Sequence, residues 1–332
     1  VRKFDGKCSE KYIQNFCDTK KYELIKILDF NERKDTYTLL AKISNTYDNI
    51  FIKLFGPNAS SKVELSFKSE IKFYKNNSSL QCICKLIHYE KNFFVIEFFQ
   101  GDTLPKIIDS HFFIKNNNDL SDIFSQINLI FENFYNFNQN FFPISENEKK
   151  FVADSFIDRL GNLITSGPKG TKKSNFESFI LRQFYKKNYK DLEKNLNKIL
   201  NSWIQKNYKI ISSYGHNDLH CNNFLTNNDF SNSKIVDFEN LRYPGIWISD
   251  LLYFYGTFFA LMSSKSHLQN KIQDQACQHI CSFEPRLDSN EIRKIVNLFC
   301  ISAESNSRFR LHNKGIKIGK ILEFQSIVKN LV

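Results

Sequence analysis

Tyr214-Gly215-His216-Asn217-Asp218-Leu219-His220-Cys221-Asn222-Asn223-Phe224, followed by Lys234-Ile235-Val236-Asp237-Phe238-Glu239, decides the reading of this chain. The first stretch has the form H-x-D-x-x-x-x-N. The second is an aspartate closing a short apolar run. Phosphoryl transfer from a nucleotide needs such a set: a carboxylate to receive the acceptor hydroxyl's proton, and an amide plus a second carboxylate to hold magnesium. In an Asn-rich chain with seven His the first pattern alone can arise by accident. The second aspartate, and three features upstream of it, carry the argument further.

The first is Lys53 in Ile50-Phe51-Ile52-Lys53-Leu54-Phe55. A lysine inside an apolar strand is costly to bury unpaired, so its ammonium needs an anion such as nucleotide phosphates. The plainer alternative is an edge-strand lysine reaching solvent. The second is Glu70 on the following helix, which can pair with the lysine and aim it at the phosphates. Glu64 competes, but Glu70 lies on the more regular apolar face. The third is Phe94-Val95-Ile96-Glu97-Phe98-Phe99-Gln100-Gly101-Asp102-Thr103-Leu104, a strand running into a Gly turn. Glu97, Phe98 and Phe99 can offer backbone groups between apolar walls to a purine ring.

Around these residues the chain divides in two. Tyr22–Phe30, Thr36–Ile43 and Asn49–Phe55 alternate apolar and polar residues, with the polar turn Asn31-Glu32-Arg33-Lys34-Asp35 after the first. Val63, Phe67, Ile71 and Tyr74 recur at helical spacing in Ser60–Asn77. Cys82–Tyr89 and Phe93–Phe99 read as two more strands. Beyond Leu104-Pro105 helical periodicity prevails: Leu120–Phe137, Lys149–Leu163, Phe176–Tyr208, Trp247–Met262, Ser266–Phe283, Asn290–Ser302 and Ile316–Leu331. The loop Thr165-Ser166-Gly167-Pro168-Lys169-Gly170 lacks the Gly-Lys-Ser/Thr of a phosphate-binding P-loop. The expectation is an α+β chain with two lobes. Residues 1–100 form a small antiparallel-sheet lobe with one helix, which binds nucleotide. Residues 101–332 form a larger helical lobe with the catalytic loop, metal site and acceptor-binding helices. A cleft between lobes is a common place for a nucleotide.

The 332 residues suffice for two lobes, and with 42% hydrophobic and 15% aromatic content disorder is not the default. Thirty-four Phe make any single Phe a poor signal. The net charge of +11 fits either a plain compositional enrichment in Lys or a face for anionic partners, including peripheral contact with an anionic membrane surface. No nucleic-acid-binding motif accompanies it. The eight Cys form no C-x-x-C pair. Cys277, His279 and Cys281 look ligand-like, but on a helix residue 279 faces away from the other two. Reduced thiols in the cytoplasm are the expectation. No signal-peptide pattern or apolar span of about 20 residues is visible, and the sequence carries no mark of oligomeric state.

In order and spacing these elements resemble the aminoglycoside phosphotransferase and choline kinase superfamily, from about Ile25 to Tyr255. The lysine strand, the E-F-x-x-G-x-x-L hinge, the H-x-D-x-x-x-x-N loop and the D-F-E element all match. Asp237-Phe238-Glu239 is closer to the choline kinases. The resemblance implies the bilobal protein-kinase-like fold, Mg²⁺, and ATP or GTP as donor. It makes Asp218 the catalytic base, Asn223 and Asp237 the metal ligands, and Lys53 with Glu70 the phosphate-positioning pair. His216 would brace the loop and Asp250 would hydrogen-bond its backbone. The departures are a Gly-free loop at Asp29–Thr36, an extra residue near Pro244-Gly245, and Asn217 where Gly is usual.

The acceptor is the least legible part. A sugar or cell-envelope glycan suits the basic stretch Lys149–Lys209, whose simplest reading is a solvated helical face. Choline or ethanolamine would want an aromatic cage, for which Tyr243, Trp247, Tyr253 and Tyr255 are candidates. Aminoglycosides would want an acidic pocket and rank third. A protein acceptor is disfavoured, because no A-P-E segment follows. The non-enzymatic alternative is a nucleotide-binding pseudokinase.

Overall fold

Alternation along β1 (Tyr22–Asn31), β2 (Thr36–Ile43), β3 (Asn49–Phe55), β4 (Leu86–Tyr89) and β5 (Phe93–Glu97) gives a five-stranded antiparallel sheet of order β1-β2-β3-β5-β4. This computed structural model describes residues 6–44, 46, 48–110, 120–137, 176–210, 214–262 and 265–312, with isolated positions at 147, 154, 160, 322–323 and 326–327. The helices expected over Lys149–Leu163 and Ile316–Leu331 and the loop Thr165–Gly170 lie, such positions apart, outside the described residues. Contacts divide the chain into two units. The first takes the chain up to Gly101 together with Lys234–Glu239; the second takes Asp102–Ser233 and Asn240 onward.

In the first unit the two faces of the sheet have different tenants. Ile50, Ile52, Leu54, Phe93 and Val95 point to one face and join Leu39 and Ala41 in a buried cluster. That cluster is closed by Ile13 and Cys17 of α1 (Gly6–Lys20), with Tyr12 and Phe16 beside them. The helix was absent from the sequence reading, because Ile13 and Cys17 make a narrow apolar stripe in a polar segment. Lys53, Phe55 and Phe94 fall on the opposite face by the period-two rule. There α2 (Ser61–Asn76) packs, with Phe67 against Phe55 and Phe94, ring centroids 4.9 and 5.6 Å apart. Ser60 starts α2 as N-cap, its side chain accepting from the Val63 N–H.

Two strands are shorter than expected. Only Leu86–Tyr89 of Cys82–Tyr89 joins the sheet. Ile83 instead bridges in parallel to Ile235, and the Ile235 N–H donates to the Cys82 carbonyl at 2.8 Å. The other strand stops at Glu97, two residues before Phe99.

The second unit is helical apart from a small ladder in which β6 (Asp102–Thr103) pairs with β7 (Phe224–Thr226). Its other strand, β8 (Ser233–Ile235), follows the turn at 227–232 and carries the chain into the first unit. The helices are α3 (Leu104–Ser110), α4 (Ser121–Phe137), α5 (Phe176–Gln205), α6 (Trp247–Leu261), α7 (Ser266–Phe283) and α8 (Ser289–His312). Helix α6 is apolar on nearly every side and is buried accordingly. Phe254 at its centre meets Phe131, Phe224 and Phe258 at 5.2 to 6.2 Å between centroids. Helix α8 runs ten residues past the expected end at Ser302, where the polar run Glu304-Ser305-Asn306-Ser307 hides its periodicity. Among the described residues no helix is long and apolar enough to cross a membrane.

Candidate active site

In the first unit Lys53 lies on β3, which is flanked by β2 and β5 and so is no edge strand. Its register partners are Thr38 and Phe94. With no route to bulk water along an edge, its ammonium finds carboxylates. Lys53 Nζ donates to Glu70 Oε2 and to Asp237 Oδ1, both at 2.9 Å, and lies 3.7 Å from Glu239 Oε2. Burial would lower the Lys53 pKa, but Glu70, Asp237 and Glu239 together outweigh it and hold the ammonium charged. Burial pushes the Glu70 carboxyl up, with Lys53 pulling it back and Asp237 adding to the rise.

Helix α2 explains why Glu70 is the partner. Ser66, Glu70, Phe73 and Tyr74 share one face by the i, i+4, i+7, i+8 rule, and all four touch the segment Asp237–Glu239. Ser66 Oγ donates to the Glu239 carbonyl at 2.6 Å. The Phe238 N–H donates to Glu70 Oε1 at 3.1 Å. The Phe238 ring lies 4.5 Å from Phe73 and 5.5 Å from Tyr74. Glu64, six residues before Glu70, is turned about 120° round the helix axis from it. Asp237 itself is at φ 66°, in the left-handed region that Asp tolerates better than most residues. Its side chain is 44% exposed, so the carboxylate pairs with Lys53 and still reaches solvent.

The expected hinge is also in this unit. Glu97 is the last residue of β5, opposite Ile50, and its N–H donates to the Lys85 carbonyl at 2.9 Å. Phe98 lies past the end of the strand, its ring 5.2 Å from Phe51, and Phe99 is buried.

In the second unit the loop from Gly215 to Asn223 is held by its own backbone and by Asp250. The Asp250 carboxylate, buried at the start of α6, accepts the N–H of His216 at 2.7 Å and of Asn217 at 2.8 Å. Its Oδ2 also accepts from the Tyr135 hydroxyl of α4 at 3.0 Å. Asn217 is at φ 60°, a conformation in which Asn is among the few alternatives to Gly, which accounts for the residue type there. His216 is fully buried, and its Nδ1 accepts the Asp218 N–H at 3.3 Å. The Asp218 carbonyl then accepts from the His220 N–H at 3.0 Å and from Asn223 Nδ2 at 2.9 Å. The second of these bonds fixes the side-chain amide of Asn223, with Nδ2 as the donor. Half-buried Asp218 has Asn240 Nδ2 at 3.4 Å from its Oδ2.

Pro244-Gly245 is no loose insertion. A Cβ on Gly245 would lie 1.9 Å from the Gly215 nitrogen, and Gly215 exchanges both backbone hydrogen bonds with Arg242 beside it. Of the four cage aromatics, two belong to the core. Trp247 is 2% exposed and donates Nε1–H to the Lys209 carbonyl, and Tyr255 is fully buried with its hydroxyl on His279 Nδ1. Tyr243 is exposed against Tyr214, and Tyr253 lies edge-on to His220. Among the described residues no group of three His, Cys, Asp or Glu could hold a metal, and His279 packs among rings.

Ser66, Tyr135, Lys34, Glu239 and Asn240 were not singled out by the sequence reading. Only Glu239, inside the quoted D-F-E, carried any signal.

No protein-family model matches the chain, and no curated protein does. Solved structures match along nearly its whole length. An ethanolamine kinase from Plasmodium vivax superposes with a TM-score of 0.53 at 14% identity, covering 98% of this chain and 89% of that one. A choline kinase from Cryptosporidium parvum gives 0.55 at 13% identity, covering 97% and 96%. An aminoglycoside phosphotransferase from Streptomyces rimosus, solved with ADP and streptomycin, gives 0.53 at 9% identity, covering 91% and 99%. At such identities the likeness establishes the fold. This chain has the α+β, kinase-like architecture of these small-molecule phosphotransferases.

Proposed function

We propose that this chain is a nucleotide- and Mg²⁺-dependent kinase that transfers the terminal phosphoryl of ATP or GTP to a hydroxyl of a small polar molecule. The carrying observation is Lys53: a central-strand lysine whose ammonium two carboxylates grip at 2.9 Å, one of them the exposed Asp237. A lysine needed only for packing has no use for that arrangement.

In this reading Asp218 takes the proton of the acceptor hydroxyl as its oxygen attacks the terminal phosphorus. The bond to the bridging oxygen breaks and the nucleoside diphosphate leaves. Lys53, aimed by Glu70, shares the charge on the phosphates. Asp237 and Asn223 supply hard oxygen donors of the kind magnesium prefers, and the ion, when bound, neutralises phosphate charge. His216 and Asp250 keep the loop in shape. Glu97 to Phe99 supply backbone groups to the base. Positioning and preorganised charge do most of this work.

For the acceptor we favour a sugar or cell-envelope glycan. The burial of Trp247 and Tyr255 takes two rings out of the cage that choline or ethanolamine would need, which puts those second. Aminoglycosides come third. The net charge of +11 fits an anionic acceptor or an anionic membrane surface beside it. Buried free thiols suit the reducing conditions of the cytoplasm.

The test is a coupled phosphorylation screen over monosaccharides, glycan extracts, aminoalcohols and aminoglycosides, with ATP and GTP. Turnover with a sugar or glycan is expected. Mg²⁺-dependent nucleotide binding with no turnover on any acceptor would point to a pseudokinase instead.

A further inference from the structure

The turn Asn31–Asp35 joins β1 to β2, and it contains no glycine. We propose that the Lys34 side chain makes the nucleotide-phosphate contact that glycine backbone amides make in a glycine-rich loop; this rests on the kinase reading above.

The turn is fixed by side chains. The Lys34 N–H donates to the Asn31 carbonyl and to Asn31 Oδ1 at 3.1 and 3.2 Å. Asp35 is at φ 50°, and its carboxylate accepts from the Tyr37 hydroxyl and the Asn58 N–H, each at 2.9 Å. Its carbonyl accepts the Gly56 N–H at 2.7 Å. A Cβ at Gly56 would be 2.3 Å from Asp35 Oδ2, so this glycine serves the turn from the end of β3. With its amide already engaged inside the turn, Lys34 cannot offer that N–H to a phosphate. Its long side chain has an ammonium to offer instead.

The Lys34 ammonium has a place to wait. It pairs with Glu239 Oε1, while Glu239 Oε2 lies 3.7 Å from Lys53 Nζ. One carboxylate thus stands between the two ammoniums, two residues past Asp237. Lys34 is 43% exposed, and pairs so exposed contribute little to stability, so exchange for a stronger anion is easy. The cluster holds two ammoniums and three carboxylates. A divalent cation at Asp237 would turn its balance positive, which suits a polyphosphate. A lysine ammonium offers three donors on a flexible stem, so it can swing from carboxylate to phosphate.

The experiment is calorimetric titration of the full chain with Mg·ATP and with adenosine, for wild type, Lys34→Gln and Lys34→Arg, with melting temperatures alongside. Lys34→Gln is expected to weaken Mg·ATP about tenfold, the scale of one lost charge-assisted hydrogen bond. Adenosine affinity and melting temperature should not move, and Lys34→Arg should retain most of the ATP affinity. An unchanged ATP affinity in Lys34→Gln would overturn the proposal. So would an equal loss for ATP and adenosine, since that marks a turn that merely shapes the site. If wild type binds neither ligand, the kinase reading itself fails and takes this one with it.

Discussion

His279 shows what burial does to one titrating group. It is 2% exposed, its Nδ1 is 3.0 Å from the Tyr255 hydroxyl oxygen, and rings of Phe131, Tyr255 and Phe283 surround it at 5.2 to 5.9 Å. Burial pushes its pKa down to about 3. The unfolded chain takes up this proton near pH 6.5, and the folded chain does not until far lower. Stability from this group is therefore whole above pH 6.5 and falls as pH drops toward 3, by about 1.4 kcal/mol per unit. Glu70, whose carboxyl burial pushes up while Lys53 pulls it back, adds a pH dependence of its own to the total. The readout must therefore be a difference. In urea unfolding, the stability gap between wild type and His279→Gln should be about 2 kcal/mol smaller at pH 5 than at pH 7. A gap independent of pH would show that His279 does not control this window. At the same scale, Asp218→Asn and Asp237→Ala should each lower turnover at least about a hundredfold while the protein stays folded. Near-wild-type turnover of either purified variant would refute the roles proposed for them.

Helix α2 concentrates its contribution on one face, and that makes its substitutions predictable. Glu70→Gln removes a charge from a buried pair but keeps an oxygen for the Phe238 N–H, and Lys53 keeps Asp237 and Glu239. The expected loss is thus about 2 kcal/mol, below the 3–5 typical of a buried charge left wholly alone. Glu64→Gln, off that face, should cost less than about 0.5 kcal/mol. Urea midpoints of the two variants decide it, and equal losses would remove the distinction between the faces. Gly245→Ala belongs here too. Its Cβ would meet backbone, which cannot swing aside as a side chain can, so about 3 kcal/mol is expected. Periodicity made α2 legible, together with β2, β3 and α7, whose ends agree with the sequence reading to within a residue. It missed α1 and α3, the first carrying its apolar stripe over little more than one turn and the second only seven residues long, because neither shows enough turns of a stripe. Lys34 was invisible for another reason: a lysine in a polar turn looks like punctuation until its partner is known.

At the scale of the whole chain, sequence order and tertiary membership part company at Lys234–Glu239. The sequence reading placed this segment with the C-terminal lobe, since its neighbours on both sides are there. Its side chains instead complete the first unit, and no local pattern could say so. Ile235 bridges to Ile83, the Lys234 ammonium donates to the Gln81 carbonyl at 2.6 Å, and fully buried Phe238 packs on Phe73 and Tyr74. The first unit therefore should not reach full stability from residues 1–101. A fragment ending there exposes Phe73 and Tyr74 and leaves Lys53 with one carboxylate in place of three. Losing the burial of one Phe alone costs about 2 to 3 kcal/mol, a large share of what so small a unit has. Supplying residues 232–241 in cis, through a flexible Gly-Ser linker, should restore a cooperative urea transition that residues 1–101 alone lack or show at a markedly lower midpoint. Coincident midpoints by circular dichroism for the two fragments would mean that Phe238 and Asp237 are guests on a sheet already stable without them.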